Sequence, residues 1–205
     1  MLLDRLFRPR PALTAGRALY AAVVDQSRTP ALYEVYAAPD TVEGRFEIYT
    51  LHVFLLLDRL KRQGPQASDT AQALFDTYVS SLDDALREMG VGDLSVGKKM
   101  RKLGEAFYGR VKSYETAFES LPGTDVLNAL LVRTVYAEAD AGTAPQLVDY
   151  VVAQRAALAE QPLDREAHRD QPDRPLHHPV RHHPEGQRAE GDPDQRAGDQ
   201  RPQIL

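Results

Sequence analysis

The spacing of the apolar residues constrains this chain more than any other feature. In the stretch from residue 71 to residue 89 they fall at Ala71, Leu74, Phe75, Tyr78, Val79, Leu82, Leu86 and Met89. Steps of three and four put these side chains on one side of an α-helix. The pattern returns almost throughout the first 160 residues, and no stretch alternates in the manner of a half-buried strand. It predicts about six helices. The first covers Thr14–Gln26 and stops before Pro30. The second runs from Val42 to Arg62, capped by Thr41 and stopped by Gly64 and Pro65. The third opens at Ser68 or Asp69 and carries the apolar stripe above. The fourth starts near Ser95, turns Val96, Met100, Leu103, Phe107, Val111, Tyr114 and Phe118 inward, and ends near Pro122. The fifth covers Asp125–Ala137, with Leu127, Leu130, Leu131 and Val135 inward. Thr143 caps the sixth, which accepts Pro145 in its first turn and buries Leu147, Val148, Val151, Val152 and Leu158. The fold class is all-α, a single helical domain around one core.

Composition divides the chain in two. Residues 1–161 read as the helical domain. Residues 162–205 are mainly Pro, Arg, Asp, His, Gln and Gly with few apolar side chains and no Phe, Tyr or Trp, a low-complexity tail that cannot offset its ordering entropy and is expected to be disordered. Five of the six histidines lie in that tail, and "HHPVRHH" there lacks the carboxylates and the scaffold of a metal site. The chain has no cysteine, which removes disulfides, thiolate metal sites and cysteine nucleophiles together. A net charge of −5 points away from a dedicated nucleic-acid binder. The most apolar run, "IYTLHVFLLL", is interrupted by His52 and stops at Asp58, well short of the roughly 20 residues that span a bilayer, so it reads as a buried helix. No secretory signal is visible at the start.

Residues Gly92–Lys99 spell G-x-x-x-x-G-K-K, one position from a phosphate-binding loop. That loop needs a preceding strand and a Ser or Thr after its lysine. Here a helix precedes it and Lys99 holds the hydroxyl position. Gly90 and Gly92 instead read as a hinge between helices, with Asp93 or Ser95 capping the next one. Lys98 and Lys99 fall in that helix's first turn, where the helix dipole disfavours cations, so their placement asks for a partner. Charge is segregated across the hinge. The acids Asp69, Asp76, Asp83, Asp84, Glu88 and Asp93 precede the bases Lys98, Lys99, Arg101, Lys102, Arg110 and Lys112, and would face them along a seam if the helices fold back on each other. His52 is the one histidine before the tail, and no G-x-S-x-G elbow accompanies it. It reads as a core histidine, and the sequence names no catalytic residue, no metal ligand set and no cofactor.

Two blocks taken together resemble the ubiquinol–cytochrome c chaperone family. They are "APDTVEGRFEIYTLHVFLLLDRL", residues 38–60, and "LFDTYVSSLDDALREMGVGDLSVGKKMRKLGEAFYGR", residues 74–110. The resemblance covers about residues 14–161. It implies a non-enzymatic assembly factor for the cytochrome bc1 complex that binds newly made cytochrome b, with a second assembly factor and close to the ribosome. The matching positions include Asp40, Thr41, Gly44, Arg45, Phe46 and His52 in the first block. In the second they include Arg87, Glu88, Gly90, Val91, Gly92, Asp93, Gly97, Lys98, Lys99, Phe107, Tyr108, Gly109 and Arg110. Arg45, His52, Asp93, Lys98, Lys99, Tyr108 and Arg110 are the partner-binding candidates. The domain begins almost at once, which favours a bacterial protein of the cytoplasm, near the inner membrane but not spanning it; the mitochondrial matrix is the alternative. After "AEQPLD" the apolar pattern of the family stops, as in an out-of-frame reading of a GC-rich gene. Two competing functions remain. One is a ribosome- or RNA-contacting module using the Lys98–Lys112 basic segment. The other is an enzyme with a pocket around His52, Arg45 and Tyr108.

Overall fold

The computed structural model describes residues 11–137 and 144–163. In chain order the helices are α1 (Pro11–Ser27), α2 (Pro30–Glu34), α3 (Val42–Leu60), α4 (Pro65–Glu88), α5 (Asp93–Glu119), α6 (Asp125–Thr134) and α7 (Pro145–Glu160). Among the described residues there is no strand. The all-α reading therefore stands, with one short helix more than the spacing predicted. That helix, α2, starts on Pro30, whose missing N–H costs nothing at a first helical position, and it buries Leu32.

The middle of the fold is α3. The run that looked too apolar for a surface helix is buried on nearly every side: Ile48, Leu51, Val53, Phe54 and Leu55 are at most 3 % exposed. Two apolar clusters meet along it. One gathers Leu51, Phe54, Tyr114, Phe118, Leu127, Leu131, Leu147 and Val151 from α3, the second half of α5, α6 and α7. The other is smaller, with Val23, Val53, Tyr78 and Phe107 fully buried between α1, α3, α4 and the middle of α5. Phe54 stacks on Tyr114 at 5.0 Å and tilts against Phe118, joining α3 to α5.

The structure corrects several element boundaries. α4 begins at Pro65 rather than at Ser68 or Asp69, because Gly64, at φ 98°, turns the chain and lets the proline serve as the first helical residue instead of a stop. α5 begins at Asp93 rather than near Ser95. Gly92 is its N-cap and no side chain caps it, so neither Asp93 nor Ser95 does. Lys98 and Lys99 consequently lie in the second turn, where the helix dipole has largely faded. Met89, expected inward, is 54 % exposed because α4 ends at Glu88 and the chain turns away. α6 ends at Thr134, three residues early, although Val135 and Tyr136 stay buried. Thr143, the expected cap of α7, lies outside the described residues, as does the tail from residue 164 onward with its histidines.

A hollow of about 850 Å³ opens where α1, the end of α3, the start of α4 and the end of α7 meet. Its wall includes Leu158, Gln161 and Leu163.

Candidate partner-binding surface

The α4–α5 hairpin is closed by backbone chemistry that the sequence announces. Gly90 sits at φ 81° directly after the helix end. Its N–H donates to the Arg87 carbonyl at 2.9 Å, and the Val91 N–H donates to the Leu86 carbonyl at 3.0 Å. This pair of bonds defines a Schellman close, which takes a left-handed residue at that point. Gly92 is different. Its φ of −67° is open to any residue, so only one of the two expected hinge glycines is required there by conformation. Arg87 then ties the two helices: it donates to Asp83 on its own helix at 2.6 Å and pairs with Asp93 at the start of α5. Asp93 is thereby placed at the hairpin tip, its side chain 86 % exposed.

Between α4 and α5 runs a shallow apolar cleft of about 40 Å³, lined by Phe75, Tyr78, Val79, Leu82, Met100, Leu103, Gly104 and Phe107. Tyr108, 55 % exposed, stands beside it with its ring 6.1 Å from Phe75 and 5.9 Å from Phe107. Lys98, Lys99, Arg101, Lys102 and Lys112 are exposed along α5. The acids of α4 and the bases of α5 stay apart: among the described residues none of them pair with one another, and the ion pair that joins the two helices is Arg87 with Asp93. Arg101 reaches only Glu105 on its own helix, at 3.9 Å, and none of the four lysines is paired. The bases point to solvent because α5 turns Val96, Phe107 and Tyr114 inward, and the lysines occupy the remaining turns.

The first block of the sequence is explained by α3's start. The Thr41 hydroxyl accepts from the Gly44 N–H at 3.1 Å, so Thr41 is the cap the spacing called for. A Cβ on Gly44 would lie 2.1 Å from the Pro39 carbonyl oxygen, which leaves room for glycine alone. Arg45 pairs with Asp40 and lies over the Tyr33 ring, 5.5 Å from its centre. The hydrogen bond from Arg45 holds the Asp40 carboxyl below the usual range.

Arg110 turns partly away from the surface. It grips Glu47 with two parallel bonds, Nε to Oε2 at 2.8 Å and Nη2 to Oε1 at 2.7 Å. Glu47 is 6 % exposed. The pair bolts α5 to α3, and its hydrogen bonds raise the Arg110 guanidinium above its ordinary value. Glu47 was inside the recognised block, yet nothing local marks it as the partner of a residue 63 positions away.

His52 is also turned inward, 5 % exposed. Its Nδ1 lies 2.8 Å from the Ile48 carbonyl, which can only accept, so Nδ1 carries the proton and Ser27 Oγ stands 3.2 Å from it. Nε2 is then left to accept from the Tyr150 hydroxyl at 2.7 Å. That hydroxyl in turn accepts from Gln26 Nε2 at 2.9 Å. Burial pushes the imidazole below its ordinary pKa, opposed by the bond to Ile48. The chain of bonds links α1, α3 and α7. Ser27, Gln26 and Tyr150 carry no signal that sequence spacing could have read.

The seven candidates thus separate. Asp93, Lys98, Lys99 and Tyr108 share the α4–α5 hairpin, Arg45 stands at the start of α3, His52 is buried, and half-buried Arg110 is held by Glu47. The contacts of His52, Arg45 and Tyr108 have no residue in common, so the three do not converge on one pocket. Among the described residues no three His, Asp or Glu side chains are grouped as metal ligands, and no helix is long and apolar enough to cross a membrane.

The described residues thus form an all-helical domain with an apolar cleft beside a cationic helix face. Comparison with known proteins gives the family: residues 34–168 match the ubiquinol–cytochrome C chaperone family, and the chain belongs to it. Its fold matches the crystal structure of the Cbp3 homolog from Brucella abortus with a TM-score of 0.69 and 33 % identity, over 82 % of this chain and 92 % of that one. The ubiquinol–cytochrome-c reductase complex assembly factor 1 of Xenopus laevis is 24 % identical over 101 residues, 49 % of this chain. The match spans 50 % of that relative's length.

Proposed function

We propose that the protein is a non-enzymatic assembly chaperone of the ubiquinol–cytochrome c reductase complex and that it holds newly made cytochrome b on the α4–α5 hairpin. Family membership supports the complex, and the cleft supports the mode of holding. The half-buried Phe75, Val79, Leu82 and Met100 present apolar surface that an unassembled membrane subunit can cover, and exposed Tyr108 extends it. In this reading residues 1–161 are the working domain, at the cytoplasmic face of the inner membrane or its mitochondrial equivalent. Residues 162–205 stand outside it.

The test is capture of the protein from growing cells with cytochrome b measured in the eluate, for the parent chain and for Leu82→Asp and Met100→Asp. Loss of cytochrome b from both variants, with unchanged helix content and melting, supports the cleft. A deletion strain with normal reductase levels rules out the assembly role.

A further inference from the structure

The hairpin tip and the outer face of α5 form a second surface, beside the cleft and chemically unlike it. Leu94 is fully exposed in the first turn of α5, and Met89 is 54 % exposed at the end of α4, so two large apolar side chains flank the Gly90–Gly92 turn. Lys98, Arg101 and Lys102 follow on the next two turns, with Lys112 further along. Leu94, Lys98, Arg101, Glu105 and Lys112 recur at three, four and seven residues and so share one side of the helix. Between Leu94 and Lys112 that side carries one acid, Glu105, while the tip adds exposed Glu88 and Asp93, the latter paired with Arg87. At 1.5 Å per residue it is about 27 Å long from Leu94 to Lys112.

We propose that this face docks on an anionic lipid bilayer surface, with Leu94 and Met89 entering the headgroup region and the lysines against the phosphates. Charge complementarity names the partner. Unpaired lysines on a solvated helix are attracted to a plane of lipid phosphates, which needs no fixed geometry from them. RNA is the other polyanion that this charge could meet, and the side-chain types argue against it. Bidentate phosphate recognition uses arginine, and base stacking uses several aromatic rings. Here lysine predominates, and among the large apolar side chains of the described residues one exposed ring, Tyr108, is present and Leu94 is the most exposed. Docking in this pose sets the α4–α5 cleft next to the bilayer, though lipid binding by the purified protein does not depend on the identity of the client.

The sequence supplies its own probe, because it contains no tryptophan. Leu94→Trp makes a single-tryptophan protein. With vesicles of phosphatidylcholine and phosphatidylglycerol at 70:30, its emission shifts to the blue and is quenched by brominated lipid. With phosphatidylcholine alone, or at 0.5 M salt, it does not change. Lys98→Gln and Lys102→Gln each weaken co-sedimentation of the full chain with the anionic vesicles by about fivefold, and about 25-fold together, since each basic residue near such a surface contributes a factor of that size. Unchanged emission from Leu94→Trp in anionic vesicles overturns the proposal. So does vesicle binding that ignores the two glutamine substitutions, which would place the contact elsewhere in the chain. Salt-sensitive binding to a short single-stranded RNA, without vesicle binding, assigns the face to nucleic acid instead.

Discussion

Replacing Arg110 by alanine tests whether the grip on Glu47 holds the fold or serves a surface. The two bonds of 2.7 and 2.8 Å would be lost together, and a carboxylate only 6 % exposed would be left without a partner. Breaking a buried ion pair from one side costs about 3–5 kcal/mol. Arg110's side chain is 28 % exposed, so water reaches part of the vacated space, and the cost falls to about 2–4 kcal/mol. For a domain of this size that lowers Tm by about 5–15 °C. The paired change Glu47→Leu with Arg110→Met removes both charges. It is expected to stay within about 1.5 kcal/mol of the parent, giving a coupling energy above about 1 kcal/mol in the double-mutant cycle. Urea titration followed by circular dichroism measures each variant, with unchanged m-values confirming a common unfolded state. An Arg110→Ala loss under about 0.5 kcal/mol, or strict additivity in the cycle, refutes the structural role. The double variant also separates stability from contact. If it is stable and still captures cytochrome b, Arg110 has no direct hand in the client; if it is stable and captures none, Arg110 reaches the client as well as Glu47.

His52 predicts a pH dependence. The unfolded chain takes up the imidazole proton near pH 6.5, while the buried ring resists it until lower pH, so the unfolded state holds more protons in that window and stability falls as pH drops below about 6.5, by up to about 1.4 kcal/mol per pH unit. In His52→Gln this part of the slope between pH 6.5 and 5 is expected to vanish in urea titrations; equal slopes would remove the buried neutral imidazole from the account. Gly44→Ala drives a methyl group against the Pro39 carbonyl and should cost about 1–3 kcal/mol, read as a lower urea midpoint. Gly90→Ala, at φ 81°, should cost about 1–2 kcal/mol, whereas Gly92→Ser should gain about 0.3 kcal/mol by supplying the missing cap. Equal effects at the two glycines would contradict the hairpin geometry.

Periodicity made most of the helices legible, because burial of one side of each helix is a local pattern. Thr41 was legible for the same reason: a cap acts within three residues. Signals with two meanings misled. Pro65 reads equally as the end of one helix or the first residue of the next, and Gly64's left-handed turn decides between them. A start at Ser95 puts Lys98 and Lys99 against the helix dipole, whereas the actual start at Asp93 moves them to the second turn, where that field has largely faded. What no pattern could show are the pairings across the chain, Glu47 with Arg110 and His52 with Tyr150, 63 and 98 residues apart. Such contacts exist only once helices have packed: the core reading of His52 holds, but its partners and the grip of Arg110 on Glu47 come from the packing alone.

The unequal clusters on the two sides of α3 imply that the molecule does not open as one. Among the described residues the cluster between α1, α3, α4 and the middle of α5 has four buried members, with Leu74 of α4 buried apart from it, while the cluster on the other side has eighteen. Amide hydrogens of α1 and α4 should therefore exchange with solvent through partial openings of lower free energy than those of α6 and the second half of α5. The hairpin that carries the cleft can loosen and reclose while the larger cluster keeps the rest of the chain folded. Under the proposed chaperone role, that would let the cleft adjust its grip to the segment it meets while the rest of the chain stays folded.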